Sequence, residues 1–94
     1  MFARVALFEG GDPESLRAAA KEINESDGPP PNIPAVGISM LVDPASGKSL
    51  TIVLFKTEED RAKGDAALNE MTPTSDAGDR ASVDFYEVAV DRRL

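Results

Sequence analysis

Two predicted strands of this 94-residue chain, Met1–Glu9 and Lys48–Lys56, are apolar on both of their faces. Successive side chains of a strand point to opposite sides, so each strand presents two separate sets of residues. One set is aliphatic in both strands, and the other set is largely aromatic or mixed. A strand of this kind needs cover on both sides, which predicts a central position in a sheet that is packed on both faces.

Each of these two strands is followed by a segment with clear helix signals. Asp12 provides an N-cap before a helix that is predicted to run to about Ser26. Thr57 provides the second N-cap, with three acidic residues directly after it that favour a helix N-terminus. The apolar residues of each helix recur at spacings of three and four and form one stripe, which is the pattern of a helix lying on a sheet. They are Leu16, Ala19, Ala20 and Ile23 in the first helix and Gly64, Ala67, Leu68 and Met71 in the second.

The remaining elements complete a repeated plan. Val36–Asp43 is predicted to form a hairpin with Lys48–Lys56 through the turn at residues 44–47, and Ala81–Val90 is predicted to be the last strand. The order is βαββαβ, which predicts an α+β, ferredoxin-like fold in a single domain spanning residues 1–94. Right-handed crossovers then give a four-stranded antiparallel sheet of order 4-1-3-2 with both helices on one face.

The helices can cover only one sheet face, which leaves the other face for a partner. We expect the aliphatic set to lie under the helices. The uncovered face would then carry Phe2, Ala6, Phe8, Val53 and Phe55. An apolar patch of this size is at the limit that a monomer tolerates. The sequence therefore predicts a homodimer in which two sheets pack face to face as a dimeric α/β barrel.

Charge and residue usage exclude several classes of function. The net charge is −7 and the ten basic residues are scattered, so we expect neither nucleic-acid nor membrane binding. The chain has no Cys, His or Trp, which removes the commonest general base and the commonest metal ligands. We accordingly expect no cofactor and no metal. No secretory signal or membrane span is visible in the sequence, so a cytoplasmic location is the expectation.

Four segments in this order resemble the antibiotic-biosynthesis-monooxygenase-like family of the dimeric α/β-barrel superfamily. They are Met1–Val5, Leu41–Lys48, Thr57–Asp60 and Ser82–Val88. The resemblance implies a homodimer with a ligand cleft between helices and sheet in each protomer. Some members of the family are cofactor-independent monooxygenases of aromatic polyketides, and others degrade haem. The chain departs from the haem-degrading pattern, which requires a histidine and a tryptophan.

The candidates for chemistry are Arg4, Tyr86 and Glu87. Arg4 on a central strand needs a partner, for which Glu87 or Asp84 on the neighbouring last strand is predicted. It would act as an anchor for an anion or carbonyl group, although a structural ion pair is the commoner role of such an arginine. Tyr86 is the only phenol and could hydrogen-bond a substrate, whereas most strand tyrosines pack their ring and leave the hydroxyl in water.

Other features have more ordinary interpretations. Ser39 and Thr51 could line a cavity, but small hydroxyls in strands usually satisfy local backbone groups. The acidic run Glu58–Asp60 is explained by helix capping without a metal. The proline-rich connector at residues 27–34 is predicted to be a rigid loop, with a lid over a pocket as the alternative.

Three functional hypotheses follow. The first is a dimer that binds a small apolar or aromatic ligand in the helix–sheet cleft. The second is a cofactor-independent monooxygenase that acts on an aromatic, polyketide-like substrate with Arg4, Tyr86 and Glu87 as its polar group. The third is a structural or regulatory partner without a ligand. Whether the chain is an enzyme is left open by its residues.

Overall fold

The sheet and helices follow the predicted plan. The computed structural model describes residues 1–26, 28, 32–70 and 79–92. The elements are β1 (Phe2–Glu9), α1 (Pro13–Glu25), β2 (Ala35–Asp43), β3 (Lys48–Phe55), α2 (Glu58–Glu70) and β4 (Asp79–Glu87). All three strand pairings are antiparallel and the order is β2-β3-β1-β4, which is the predicted 4-1-3-2 read from the other edge. The ferredoxin-like α+β prediction is confirmed.

Both helices begin at the predicted caps. The Asp12 carboxylate accepts a hydrogen bond from the Ser15 amide at 3.2 Å, and Pro13 occupies the first helical position, where a missing N–H costs nothing. The Thr57 hydroxyl accepts a hydrogen bond from the Asp60 amide at 3.0 Å. Side-chain oxygens thus satisfy amides that have no partner inside either helix. Neither helix in the described part of the chain is long and apolar enough to cross a membrane.

The β2–β3 hairpin ends its turn at a glycine, Gly47, where any side chain would be strained. Gly47 has a φ of 72°, in the left-handed region that L-residues rarely adopt. Its carbonyl also accepts a hydrogen bond from the Gly11 amide at 2.9 Å. The hydrogen bond joins the hairpin to the segment before α1. A Cβ built on Gly47 would lie only 2.7 Å from the Gly11 carbonyl oxygen, so this close approach leaves no room for a side chain.

The sheet faces are assigned opposite to the sequence-based expectation. The Arg4 side chain reaches α2, and the Phe55 ring contacts Gly64 of the same helix. The strand register puts Phe2 opposite Phe55 and Ala6 opposite Thr51, so the mixed set lies under the helices. The prediction that this set is uncovered was wrong. The physical reason is that the helices offer small residues here, and large rings on the sheet fill the space that those residues leave.

The core is centred on Phe55, which is fully buried. Val53 and Ile33 complete its cluster, and Ala67 and Leu68 of α2 pack against them. A Cβ on Gly64 would overlap the Phe55 ring, so the glycine lets α2 approach the sheet closely. Leu16 of α1 is also fully buried.

The other sheet face has no covering element among the described residues, and we refer to it as the open face. Its side chains form three rows across the four strands. The rows are Gly37–Leu54–Ala3–Tyr86, Ser39–Ile52–Val5–Asp84 and Leu41–Leu50–Leu7–Ser82. The two central strands contribute only aliphatic residues to these rows, whereas the edge strands add polar and aromatic ones.

Two predicted segments fall partly outside the described residues. Of the connector at residues 27–34, the structure describes Gly28 and residues 32–34, and Ile33 is buried against Phe55. The choice between rigid loop and lid therefore lies outside the described residues, as does Met71 of the predicted α2 stripe.

Candidate functional site

Arg4 is a buried cation that pairs with the helix above it. Its side chain is 5% exposed, and its Nε atom donates to Asp65 Oδ1 at 2.8 Å. The predicted partners, Glu87 and Asp84, do not make this contact, so that prediction was wrong. Arg4 lies opposite Phe85 on β4, and its guanidinium points toward α2 instead of along the sheet.

Asn69 extends this ion pair toward the surface. Arg4 Nη2 donates to Asn69 Oδ1 at 3.3 Å, and Asn69 Nδ2 donates to Asp65 Oδ2 at 3.3 Å. Arg80, at the start of β4, donates from Nη1 to the same Asn69 oxygen. Two guanidinium groups therefore converge on one amide, and among the described residues Asp65 is the carboxylate that pairs with one of them. We call Arg4, Asp65, Asn69 and Arg80 the arginine cluster.

An aromatic group adjoins the arginine cluster at the start of α2. The Arg61 guanidinium lies 5.4 Å from the centre of the Phe2 ring and 4.9 Å from that of Phe85. These distances fit cation–π attraction. Arg61 also pairs with Glu58 at 3.6 Å, an (i, i+3) contact on the helix surface. Phe85 remains 46% exposed despite this contact, so part of its ring is open to solvent.

The three predicted site residues are not brought together. Arg4 and Glu87 lie on the helix side of the sheet, with Glu87 exposed and opposite Phe2. Tyr86 is the residue between Phe85 and Glu87, so it points to the open face, where it is 55% exposed. The sheet itself thus separates the phenol from the arginine within one protomer.

The secondary candidates have ordinary surroundings. Ser39 is exposed on the open face, and Thr51 is half-buried on the helix side opposite Ala6. The acidic run Glu58–Asp60 occupies the first turn of α2, where it contributes to capping and to surface ion pairs. No group of three Asp or Glu residues is placed to hold a metal within the described residues.

The arrangement can hold a polar group but offers little for bond making. Guanidinium groups donate hydrogen bonds to carbonyl or carboxylate oxygens and do not exchange protons near neutral pH. The neighbouring ring of Phe85 offers an apolar surface. Together these groups fit recognition of a small molecule that combines an aromatic ring with an oxygen-bearing substituent.

Sequence reasoning missed the helix half of this site. Arg61, Asp65 and Asn69 recur every four residues along α2 and share one flank of the helix, beside the apolar stripe of Gly64 and Leu68. That spacing was visible in the sequence. It does not by itself indicate a site, because charged residues that flank an apolar stripe are usually hydrated.

Comparisons of this chain with models of protein families, with curated proteins and with solved structures find no match.

Proposed function

We propose that the protein is a homodimeric α/β-barrel protein of the antibiotic-biosynthesis-monooxygenase-like kind that binds a small aromatic ligand on the helix side of each sheet. The observation that carries the proposal is the open face. Val5, Ile52 and Leu54 are each only half-buried there, whereas Leu41 is 54% exposed at the edge. Aliphatic side chains in such numbers gain free energy when a second surface removes them from water.

The size of the open face suits a dimer. Four strands about 4.8 Å apart and eight residues long at about 3.3 Å per residue outline roughly 500 Å² in projection. A standard protein interface removes about 800 Å² of accessible surface per partner, and accessible area exceeds projected area on a rugged face. Leu7, Leu41 and Leu50 also line an apolar depression of about 220 Å³ that side chains of a second sheet could fill.

The ligand would bind at the edge between α2 and β4. Phe55, Leu16 and Val53 already fill the middle of the layer between helices and sheet. At the edge, the half-exposed Phe85 ring lies opposite Arg4 of the arginine cluster on β1, and the Arg61 guanidinium lies 4.9 Å from its centre. A small aromatic molecule could stack on Phe85 and direct an oxygen substituent to the guanidinium groups.

The monooxygenase alternative receives less support from the geometry. Cofactor-independent oxygenation would rely on positioning and on a polar anchor for the substrate's enolate. Arg4 and Glu87 share the helix side, but Tyr86 lies on the other side of the sheet. The Tyr86 phenol therefore does not join Arg4 and Glu87 in one site of a protomer, and oxygenation of an aromatic substrate stays a prediction.

Sedimentation equilibrium tests the dimer. We expect the wild-type chain to sediment at twice the mass of 10.0 kDa, and Ile52→Lys to sediment as a folded monomer because it places a charge in the middle of the open face. Ile38→Lys is the matched control, since Ile38 is half-exposed on the helix side of the edge strand β2. A wild-type monomer at about 100 μM protein would refute the dimer.

Ligand binding is tested with two probes, 1-naphthoate and naphthalene, by saturation-transfer NMR. We expect 1-naphthoate to bind more tightly than naphthalene, because only the carboxylate can use the guanidinium groups. Phe85→Ala should weaken binding of both probes, whereas Leu41→Ala on the open face should leave it unchanged. Equal signals from wild type and Phe85→Ala would contradict the proposed site.

A further inference from the structure

The three rows of the open face differ in residue size from one edge of the sheet to the other. In the first row, Tyr86 on β4 is large and Gly37 on β2 has no side chain, whereas Ala3 is small and Leu54 is large between them. Tyr86 is 55% exposed, so its ring has free space beside it in the protomer. The row therefore alternates large, small, large and empty positions.

We infer that two copies associate about a twofold axis running nearly parallel to the strands, with Tyr86 of each copy seated over Gly37 of the other. This inference rests on the proposed dimer. Such an axis superposes β4 of one copy on β2 of its partner and keeps each row opposite itself. In the first row Tyr86 then faces Gly37 and Ala3 faces Leu54, so every large residue meets a small one.

The other two rows are compatible with this axis. In the last row, Leu41 faces Ser82 of the second copy and Leu7 faces Leu50, which again avoids two large groups at the edges. Aligned packing of two sheets about 10 Å apart is a common arrangement, with the strands of one sheet turned by about 30° from those of the other.

The position of a charged residue favours this axis over the other possible twofold axis, which would run perpendicular to the strands. Asp84 carries the only charge in the three rows, and it lies at the β4 edge of the middle row. An axis perpendicular to the strands would place Asp84 opposite itself, and two like charges would lose water together, which is costly. The proposed axis places Asp84 opposite Ser39 of the second copy, whose hydroxyl can donate a hydrogen bond to the carboxylate.

Gly37 provides a test because a side chain there is compatible with the protomer. A Cβ on Gly37 meets only the Leu54 side chain, at 3.4 Å, and its backbone is not in the left-handed region. We expect Gly37→Phe to raise the dimer dissociation constant at least about tenfold, because the new ring occupies the place of the partner's Tyr86. Tyr86→Ala should also weaken the dimer. The double variant should recover to within about threefold of wild type, because large and small residues have exchanged places.

A charge variant tests the axis independently of size. Ser39→Lys would face Asp84 of the second copy under the proposed axis, and it should tighten the dimer about two- to fivefold at low salt. Under the perpendicular axis, the new lysine would face itself and weaken the dimer. Ile38→Phe, on the other side of β2, is the control and should leave the dissociation constant unchanged.

Sedimentation equilibrium of all variants, with circular dichroism to check folding, separates the outcomes. Weakening by Gly37→Phe, recovery in the double variant and tightening by Ser39→Lys would support the arrangement. A wild-type dimer that Gly37→Phe does not weaken, or that Ser39→Lys weakens, would overturn the arrangement while the proposed dimer stands. A wild-type monomer would overturn both.

Discussion

Replacing Gly64 by alanine sets two physical effects against each other in the middle of α2. Alanine is the better helix former, and the change at an exposed helix position would stabilise the protein by about 1 kcal/mol. Gly64, however, is buried, and a Cβ there would overlap the ring of Phe55. The Phe55 ring is fully buried in the core, so it cannot move into solvent to relieve the overlap.

The overlap should outweigh the gain in helix propensity. Adding a methyl group to a packed core typically costs about 1–3 kcal/mol, because side chains leave their preferred rotamers or the backbone shifts. After the gain of about 1 kcal/mol from propensity is subtracted, we expect Gly64→Ala to lower the free energy of unfolding by up to about 2 kcal/mol. For a chain of this size, each 1 kcal/mol corresponds to about 4–8 °C in Tm.

Urea unfolding followed by circular dichroism measures this effect, at one fixed protein concentration because association would also shift stability. Phe55→Leu makes room for the methyl group, so Gly64→Ala should cost less in the Phe55→Leu background than in wild type, and a double-mutant cycle gives the coupling. Ala62→Gly on the exposed side of the same helix is the control for propensity alone. An increase in stability on Gly64→Ala would refute the close approach of α2 to the sheet.

Two further predictions concern the buried ion pair and the hairpin glycine. Arg4→Met should lower the free energy of unfolding by about 2–4 kcal/mol, because it leaves the Asp65 carboxylate without its cation. In urea unfolding, the double variant Arg4→Met/Asp65→Leu should recover more than half of this loss. An equal loss in both variants would contradict the pairing. Gly47→Ala should lower the Tm more than Gly10→Ala. Both glycines have positive φ, but only Gly47 also has backbone atoms within contact distance of a new Cβ. Equal losses of Tm in thermal unfolding would contradict the close contact between the hairpin and the segment before α1.

The element order could be predicted from the sequence because local signals agree with one another. Asp12 and Thr57 mark the helix starts by chemistry that acts within three residues. The turn before Lys48 combines an early proline with a late glycine, which suits a tight reversal. Once six elements and their lengths are known, the handedness of crossovers leaves few topologies. None of these signals depends on contacts between distant residues.

The choice of sheet face could not be predicted in the same way. Both faces of β1 and β3 are apolar, so periodicity shows which residues of a strand share a face but not which face the helices cover. That side is decided by fit between distant elements, such as the Phe55 ring against Gly64. The partner of Arg4 was misassigned for the same reason, because strand neighbours follow from topology whereas Asp65 is reached only after the helix is placed.

The distribution of residue shapes gives a physical reason for the observed choice of face. Aromatic rings and the long Arg4 side chain extend far from the strand, so they can reach small residues such as Gly64 on a helix lying above the sheet. The open face is shallower, because Val5, Ile52 and their neighbours are compact aliphatic groups that suit contact with another pleated surface. If the faces were exchanged, the compact aliphatic groups would leave voids under α2, and the rings would lie on the face that has no covering element among the described residues. Voids are costly in a core, so the observed assignment is the one that fills the layer between the helices and the sheet.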